Sequence, residues 1–313
     1  MVLDHYGTTW YHSHFTLQYG DGLLGPLIIN GPATANYDED LGMVFLSDWS
    51  HDSVFELWYI AMQGGPPELE NGLINGMNTF DCSSSTDEKC LGGGKKFEVS
   101  FEAGKKYRMR LIDTAVDGHF QFSLDGHSFQ VIAMDLVPIV PYETDNLYIS
   151  IGQRYDIIVE ANAAPGNYWL RAGWQTACSA NGNAEGITGI IRYDNSSTSD
   201  PTTTGLTVDT FCGDEALENL VPHVALNVGK YGEMTIEEVG FNIGSYFEWT
   251  VNSSQSFGAN VLHIGTNKLL GSLILDWANP TNLRLANQES LWPAEYNVIP
   301  IEVSRVLLEA KQC

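Results

Sequence analysis

The sequence predicts an all-β protein of Greek-key sandwich or barrel type, and three observations carry that prediction. Val, Ile, Thr, Tyr and Phe recur in short runs divided by Gly, Asn, Asp and Pro. Within several runs, apolar and polar residues alternate, the period of a strand with one buried face. The runs follow one another at near-regular spacing between about Asp40 and Tyr193, and no convincing amphipathic helix interrupts them. With 43% hydrophobic residues in 313 positions, the chain can bury a sizeable core. Its length suits two domains, or two and part of a third.

Taken in order, Leu23–Ile29 reads as a buried strand closed by Asn30-Gly31-Pro32. An acidic linker then leads into a strand at Met43–Ser47. A Gly/Pro-rich loop, "MQGGPPELENG", precedes renewed β structure in "LINGMNTFDC". Phe97, Val99 and Phe101 alternate, the chain turns at Ala103-Gly104, and Tyr107, Met109 and Leu111 alternate in return, which predicts a hairpin. Phe120, Phe122 and Leu124 turn through Asp125-Gly126 into Phe129, Val131 and Ala133, which predicts a second. Further strands are expected at Leu147–Ile151, Tyr155–Glu160, Tyr168–Ala172 and Thr188–Tyr193. "DNSSTSDPTTTGLTVD" has the composition of a linker and marks the clearest boundary. Beyond it, Val224–Val228 and Tyr246–Val251 open a further β domain.

Charge excludes some partners. With 39 acidic and 15 basic residues the formal charge is −24, which repels phosphate backbones and anionic lipid. Nucleic acid and membrane surfaces are therefore not expected as partners, and no apolar run reaches the roughly 18 residues of a membrane span. "MVLDHYGTTW" has neither the basic region nor the apolar core of a signal peptide. Two sequons, at Asn195 and Asn252, point instead to a secreted glycoprotein. Five cysteines contain no Cys-x-x-Cys. Cys82 and Cys90 bracket one polar loop, Cys178 and Cys212 a longer one, and Cys313 is left over, a pattern that suggests disulfides in an oxidising compartment.

One short motif carries chemistry. His12 and His14 stand at i and i+2, so on a strand they face one side, with Cα atoms roughly 6.6 Å apart. They can reach into one cavity and bind one metal or two neighbouring ones. Neutral imidazole suits copper, zinc, iron and nickel alike. Two ordinary packing histidines would give the same pattern. The surroundings, "GTTWYHSHFTLQYGDGLLGPLIINGP", closely resemble the second copper-binding segment of the multicopper oxidases, and of fungal laccases of the ascomycete type in particular. The likeness continues through "YDEDLGMVFLSDWSH", "LINGMNTFDC", "GKKYRMRLIDTAVDGHFQFSLDGHSFQVIAMDLVPI" and "SIGQRYDIIVEANAAPGNYWLRA", covering roughly Tyr6 to Gly258.

The resemblance implies cupredoxin-like sandwich domains, one complete and two partial in this chain. Residues 1–35 would end the first, 36–200 form the second, and 201–313 provide a linker and an incomplete third. It implies a monomeric, copper-dependent oxidase that takes single electrons from a small phenol and reduces O₂ to water, secreted like its relatives. Four coppers serve that reaction, and His12 and His14 would be type 3 ligands, one to each copper of a pair. Asp117, in "TAVDGHF", would stand where laccases hydrogen-bond the phenol hydroxyl and take its proton; a turn aspartate before Gly118 is the alternative. Cys178–Cys212 would tie the second domain to the connector into the third, whereas for Cys82 and Cys90 a bridge and two free thiols both stay open. His51, His119, His127, His223 and His263 read as structural.

The remaining copper ligands of the family have no counterpart in these 313 residues, which contain one His-x-His pair and no cysteine in type 1 company. The chain as written is thus expected to be an inactive fragment. A foreign stretch at Gly258–Ser272 and a tail from Val303 without family character suggest unspliced intron read as protein. A non-catalytic β-sandwich that only binds a partner is the alternative class. An oxidase with another substrate, a ferroxidase or a pigment-forming enzyme, is the third.

Overall fold

The computed structural model describes residues 5–15, 17–64, 67–209, 211–225, 239–243 and 247–251. Strands β1 (Gly7–His12) and β2 (Leu24–Ile29) form a two-stranded ribbon. Next come β3 (Glu39–Trp49), the helix α1 (Val54–Gly64), β4 (Asn71–Ile74), β5 (Thr79–Phe80) and β6 (Gly93–Gly94). The central stretch supplies β7 (Phe97–Ser100), β8 (Lys106–Asp113), β9 (Phe120–Leu124), β10 (Phe129–Met134), β11 (Val137–Thr144) and β12 (Asn146–Ile149). It closes with β13 (Arg154–Glu160), β14 (Asn167–Trp174) and β15 (Thr188–Arg192), after which β16 (Val239–Ile243) pairs with β17 (Phe247–Val251). Two compact units divide the chain: Met1–Tyr11, Pro26–His51 and Glu68–Leu226 in one, and His12–Gly25, Asp52–Pro67 and Asn227–Cys313 in the other.

The first unit is a β-sandwich of cupredoxin type. A six-stranded sheet of order β11-β10-β13-β8-β3-β4 packs on a five-stranded sheet of order β12-β9-β14-β15-β7. Pairing is antiparallel except between β3 and β8 and between β7 and β15. Met109, Leu111, Ile157, Val159 and Val131 fill the interior from one sheet, and Phe120, Phe122, Leu147, Ile149 and Leu170 from the other, all without exposed surface. Phe122 meets Phe129 edge-on at 5.9 Å between the two sheets. Truncating a side chain such as Leu111 here removes about 2–5 kcal/mol.

Several expectations need correction. The two expected hairpins are corners. β7 lies beside β15 in the five-stranded sheet while β8 pairs with β13 and β3 in the six-stranded one, and β9 and β10 are split in the same way. Alternation tells which face is buried, and both strands bury a face in one core whether they pair or stand opposite. The turn between β9 and β10 uses Gly126 at φ +72°, and the His127 N–H donates to the Leu124 carbonyl at 3.1 Å. β3 starts at Glu39, not Met43, because the backbone of Glu39 and Asp40 already pairs with β8 and the Asp40 carboxylate is bonded to Arg110 of that strand. β2 is not buried: Leu27 is 47% exposed, since its sheet has only two strands. β11 was not foreseen; Pro138 and Pro141 within it suit an edge strand.

The unforeseen helix α1 is apolar nearly all round ("VFELWYIAMQG"), which hides its period. Its signal lies in Ser53-x-x-Glu56, a capping box. The Ser53 N–H donates to Glu56 Oε2 at 3.1 Å, and the Glu56 N–H reaches Ser53 Oγ at 3.4 Å. The expected linker Asp194–Asp209 has no regular structure but is fastened along the sandwich. Asn167 Nδ2 donates to Ser197 Oγ (2.8 Å), Arg171 Nη2 to the Thr203 carbonyl (3.2 Å), and Thr203 Oγ1 to Asp125 Oδ2 (2.5 Å). Of the strands expected beyond it, Tyr246–Val251 corresponds to β17, whereas Val224–Val228 shows no strand at 224–225 and otherwise lies outside the described residues. Asn252, His263, Gly258–Ser272 and the tail from Val303 also lie outside them.

The outer face of the six-stranded sheet carries a buried charge network. Arg108 and Arg110, at i and i+2 on β8, turn away from the core that Met109 and Leu111 enter. Asp156 on β13 accepts from Arg108 Nη2 and from Thr8 Oγ1 of β1, with Arg110 Nη1 at 3.5 Å. Arg110 also donates to Thr8 Oγ1 at 2.8 Å and to both oxygens of Asp40 on β3, Nη2 lying 2.6 Å from Oδ2. Burial pushes the Asp40 carboxyl up, but the bonds from Arg110 and the Gly42 N–H outweigh it and hold it below the usual carboxylate range. Asp156→Ala leaves two buried cations without their shared anion and is expected to destabilise the fold by about 3–5 kcal/mol in urea denaturation. Lys106→Ala, which removes only a surface pair with Glu160 at 3.3 Å, should change it by less than about 1 kcal/mol.

Candidate metal centre

The histidine segment is built as a braced turn. The Ser13 N–H donates to the Leu23 carbonyl at 3.0 Å, one step past the end of β1, and the Leu23 N–H to the Gln18 carbonyl at 2.9 Å. Ser13 Oγ, between the two histidines, donates to Gln18 Oε1 at 2.7 Å and accepts the Phe15 N–H at 3.1 Å. Gly22 closes the turn at φ +95°, a conformation that a side chain would strain. The two imidazoles stand side by side with ring centroids 4.5 Å apart and planes 27° apart, and Tyr19 leans on His12 at 4.8 Å.

Both rings are suited to hold a cation. His12 Nδ1 lies 3.1 Å from the Ser13 carbonyl, which can only accept, so Nδ1 carries the proton and Nε2 the lone pair. Desolvation lowers His12 below the ordinary histidine value, opposed by that same carbonyl. Desolvation and then the neighbouring His12 push His14 down to about 4, although the residue keeps exposed surface. Two adjacent neutral imidazoles form a donor set that fits copper.

Asp117 belongs to the other compact unit and is half-buried. Its loop is held from below by Asp48, at the end of β3, whose Oδ2 accepts the N–H groups of Val116 (2.9 Å), Asp117 (2.7 Å) and Gly118 (3.1 Å). No side chain fits at Gly118, where a Cβ would lie 2.9 Å from both Phe120 and Trp174. Behind the loop, buried His119 bonds through Nε2 to Ser150 Oγ at 2.6 Å, and Ser150 Oγ donates to Asp214. Cys178 and Cys212 are joined, with Cα atoms 5.0 Å apart, and so are Cys82 and Cys90, 5.6 Å apart. His127 Nδ1 donates to the Asp125 carbonyl (2.8 Å) and its Nε2 is bonded to Tyr193 Oη (2.7 Å), which makes it a core residue. Asn195 is exposed.

Because its folded value lies below the unfolded one, neutral His14 contributes stability that is complete above about pH 6.5 and lost as pH falls towards 4. Proton NMR of the metal-free chain should show the His14 ring titrating well below a free histidine, and a His14→Gln chain should lose less stability over that interval.

The multicopper oxidase family profile matches this chain over residues 40–196, and a further multicopper oxidase profile matches residues 1–34. Laccase-2 of Botryotinia fuckeliana is 57% identical over 95% of this chain, and Laccase-1 of the same organism 56% identical over 96%; in each case 48% of the relative is covered. Among solved structures, a laccase from Botrytis aclada superposes with a TM-score of 0.76 and 62% identity, over 80% of this chain and 46% of that one. The chain therefore spans about half the length of the curated relatives it matches. No helix among the described residues is long and apolar enough to cross a membrane. The sandwich, the histidine segment and these matches lead to one conclusion: the chain belongs to the multicopper oxidase family.

Proposed function

We propose that these residues form part of a laccase-type oxidase, which oxidises a small phenol by single electrons and passes them to O₂. The observation that carries this reading is the pair of adjacent neutral imidazoles on the braced turn. His12 and His14 would hold copper as type 3 ligands, one to each ion of a pair. Copper bound there supplies one-electron redox chemistry and a place for O₂. The Ser13 carbonyl orients the His12 ring, and desolvation keeps both rings neutral, so cation binding does not have to displace a proton from an imidazolium.

Asp117 would meet the substrate. Oxidising a phenol acidifies its hydroxyl, and a carboxylate at hydrogen-bond reach accepts the departing proton. The bonds from three consecutive N–H groups to Asp48 support this reading, because they fix the backbone from which Asp117 projects. In the same reading residues 1–35 belong to a first cupredoxin domain, 36–200 form the second, and 201–313 lead into a third. The protein would be a secreted monomer glycosylated at Asn195 and Asn252. As an isolated polypeptide these 313 residues bring one His-x-His pair, too few imidazoles for turnover.

Metal analysis and oxygen uptake test this. The isolated chain should retain no stoichiometric copper after dialysis and consume no O₂ with a phenol; tight copper and turnover by the chain alone would refute it. In a protein that joins these residues to the remaining copper ligands, His12→Ala or His14→Ala should abolish O₂ reduction. Asp117→Asn there should raise KM for phenols while sparing a one-electron donor that carries no acidic proton. An equal loss with both donors would remove Asp117 from the substrate site.

A further inference from the structure

A second group of metal-binding side chains lies beyond β3. His51 Nδ1 sits 2.5 Å from Glu70 Oε1, and Glu70 Oε2 accepts both the His51 N–H (2.8 Å) and the Ser50 hydroxyl (2.6 Å). The carboxylate turns the ring and keeps the proton on Nδ1, which puts the lone pair on Nε2, the arrangement of carboxylate–histidine–metal sites. Phe80 packs edge-on against the ring at 5.1 Å. One nitrogen of His51 and the sulfurs of Cys82 and Cys90 lie within 4.8 Å of one another. Asp87, on the loop those cysteines close, brings a carboxylate oxygen equally near to His51 and Glu70. All of this lies in one compact unit, away from the His12–His14 turn in sequence.

We propose that opening the Cys82–Cys90 disulfide creates a site for a thiophilic d¹⁰ cation, zinc or copper(I), bound by both thiolates and the His51 imidazole. With the bridge closed, neither sulfur can act as a thiolate. Reduction by a phosphine breaks the S–S bond: the phosphine takes the oxygen of one water and becomes its oxide, and the two water protons go to the two sulfurs. The cation then displaces both thiol protons and forms two metal–sulfur bonds. Metal–ligand lengths of about 2.0–2.3 Å place tetrahedral donors roughly 3.3–3.8 Å apart. Reduction lets the two bonded sulfurs part to that separation, with the His51 nitrogen already within 4.8 Å of both, and the loop between them, whose residues 83–89 are all exposed, takes up the movement. Asp87 or water completes the fourth position, and Glu70 stays on Nδ1. Two thiolates and an imidazole select soft and borderline ions over magnesium or calcium.

Cobalt(II) is the probe, added to the whole 313-residue chain under argon with and without prior phosphine reduction. The reduced chain is expected to bind one equivalent with a sulfur-to-cobalt charge-transfer band and intense tetrahedral ligand-field bands, which zinc then bleaches. The oxidised chain should show neither. The signal should disappear in a Cys82→Ser, Cys90→Ser double variant and survive in Cys178→Ser, Cys212→Ser and in Cys313→Ser. His51→Gln keeps the bridge, so its folding can be checked before reduction; after reduction it should bind about tenfold more weakly or worse. No charge-transfer band in the reduced chain, its persistence without Cys82 and Cys90, unchanged affinity in His51→Gln, or unfolding on reduction each overturns the proposal.

Discussion

A carboxylate buried between two arginines sets the terms for the six-stranded sheet. Asp156 retains 1% of its surface, and an isolated charge at that depth would be untenable. It survives because Arg108 and Arg110 converge on it from the neighbouring strand, while Thr8 gives it a hydroxyl. The period of two along β8 does both jobs at once, turning Met109 and Leu111 into the core and the arginines to the other face. Asp40 then fixes β3 against the same strand, and Thr8 fastens β1, the strand that ends at His12. A slip of one residue would send the arginines into the hydrophobic interior.

How much of this was legible follows from the range of each interaction. Alternation within a strand is local, so β9, β10, β13, β14 and β15 could be read from their own residues. Which strand lies beside which is not local. Val99 and Tyr107 gave the pattern of a hairpin, although their strands belong to opposite sheets, since a corner and a hairpin bury the same positions. The helix after Ser53 escaped for a different reason: its apolar residues cover every side, and only the capping serine and glutamate betray it.

The candidate site divides in the same way. His12 and His14 are neighbours in sequence, and two residues suffice to bring their rings together. Asp48 is far in sequence from the three N–H groups it accepts, and nothing local distinguishes it from any other acidic residue at a strand end. The segment 194–209 likewise reads as a tether by composition, yet Asp125 and Arg171, from distant strands, hold it down. Glu70 beside His51 belongs to this class too; without the fold, His51 is an unremarked histidine after a strand.

The two corners have a kinetic consequence. Because β7 and β8, and again β9 and β10, part into different sheets, β3–β4, β10–β11 and β14–β15 are the sandwich pairs that join sequence neighbours, and the rest must be found at longer range. β3 must await β8, and β7 must await β15 on the far side of the sandwich, each as a parallel pair. Closing such long loops costs entropy before any contact rewards it, so a chain of this topology folds slowly and carries unpaired edges meanwhile. The crosslink between Cys178 and Cys212 runs from the loop before β15 to the segment after it, encloses that strand alone and shortens neither of those searches. Assembly therefore depends on the hydrophobic interior and the Asp156 cluster finding their partners unaided.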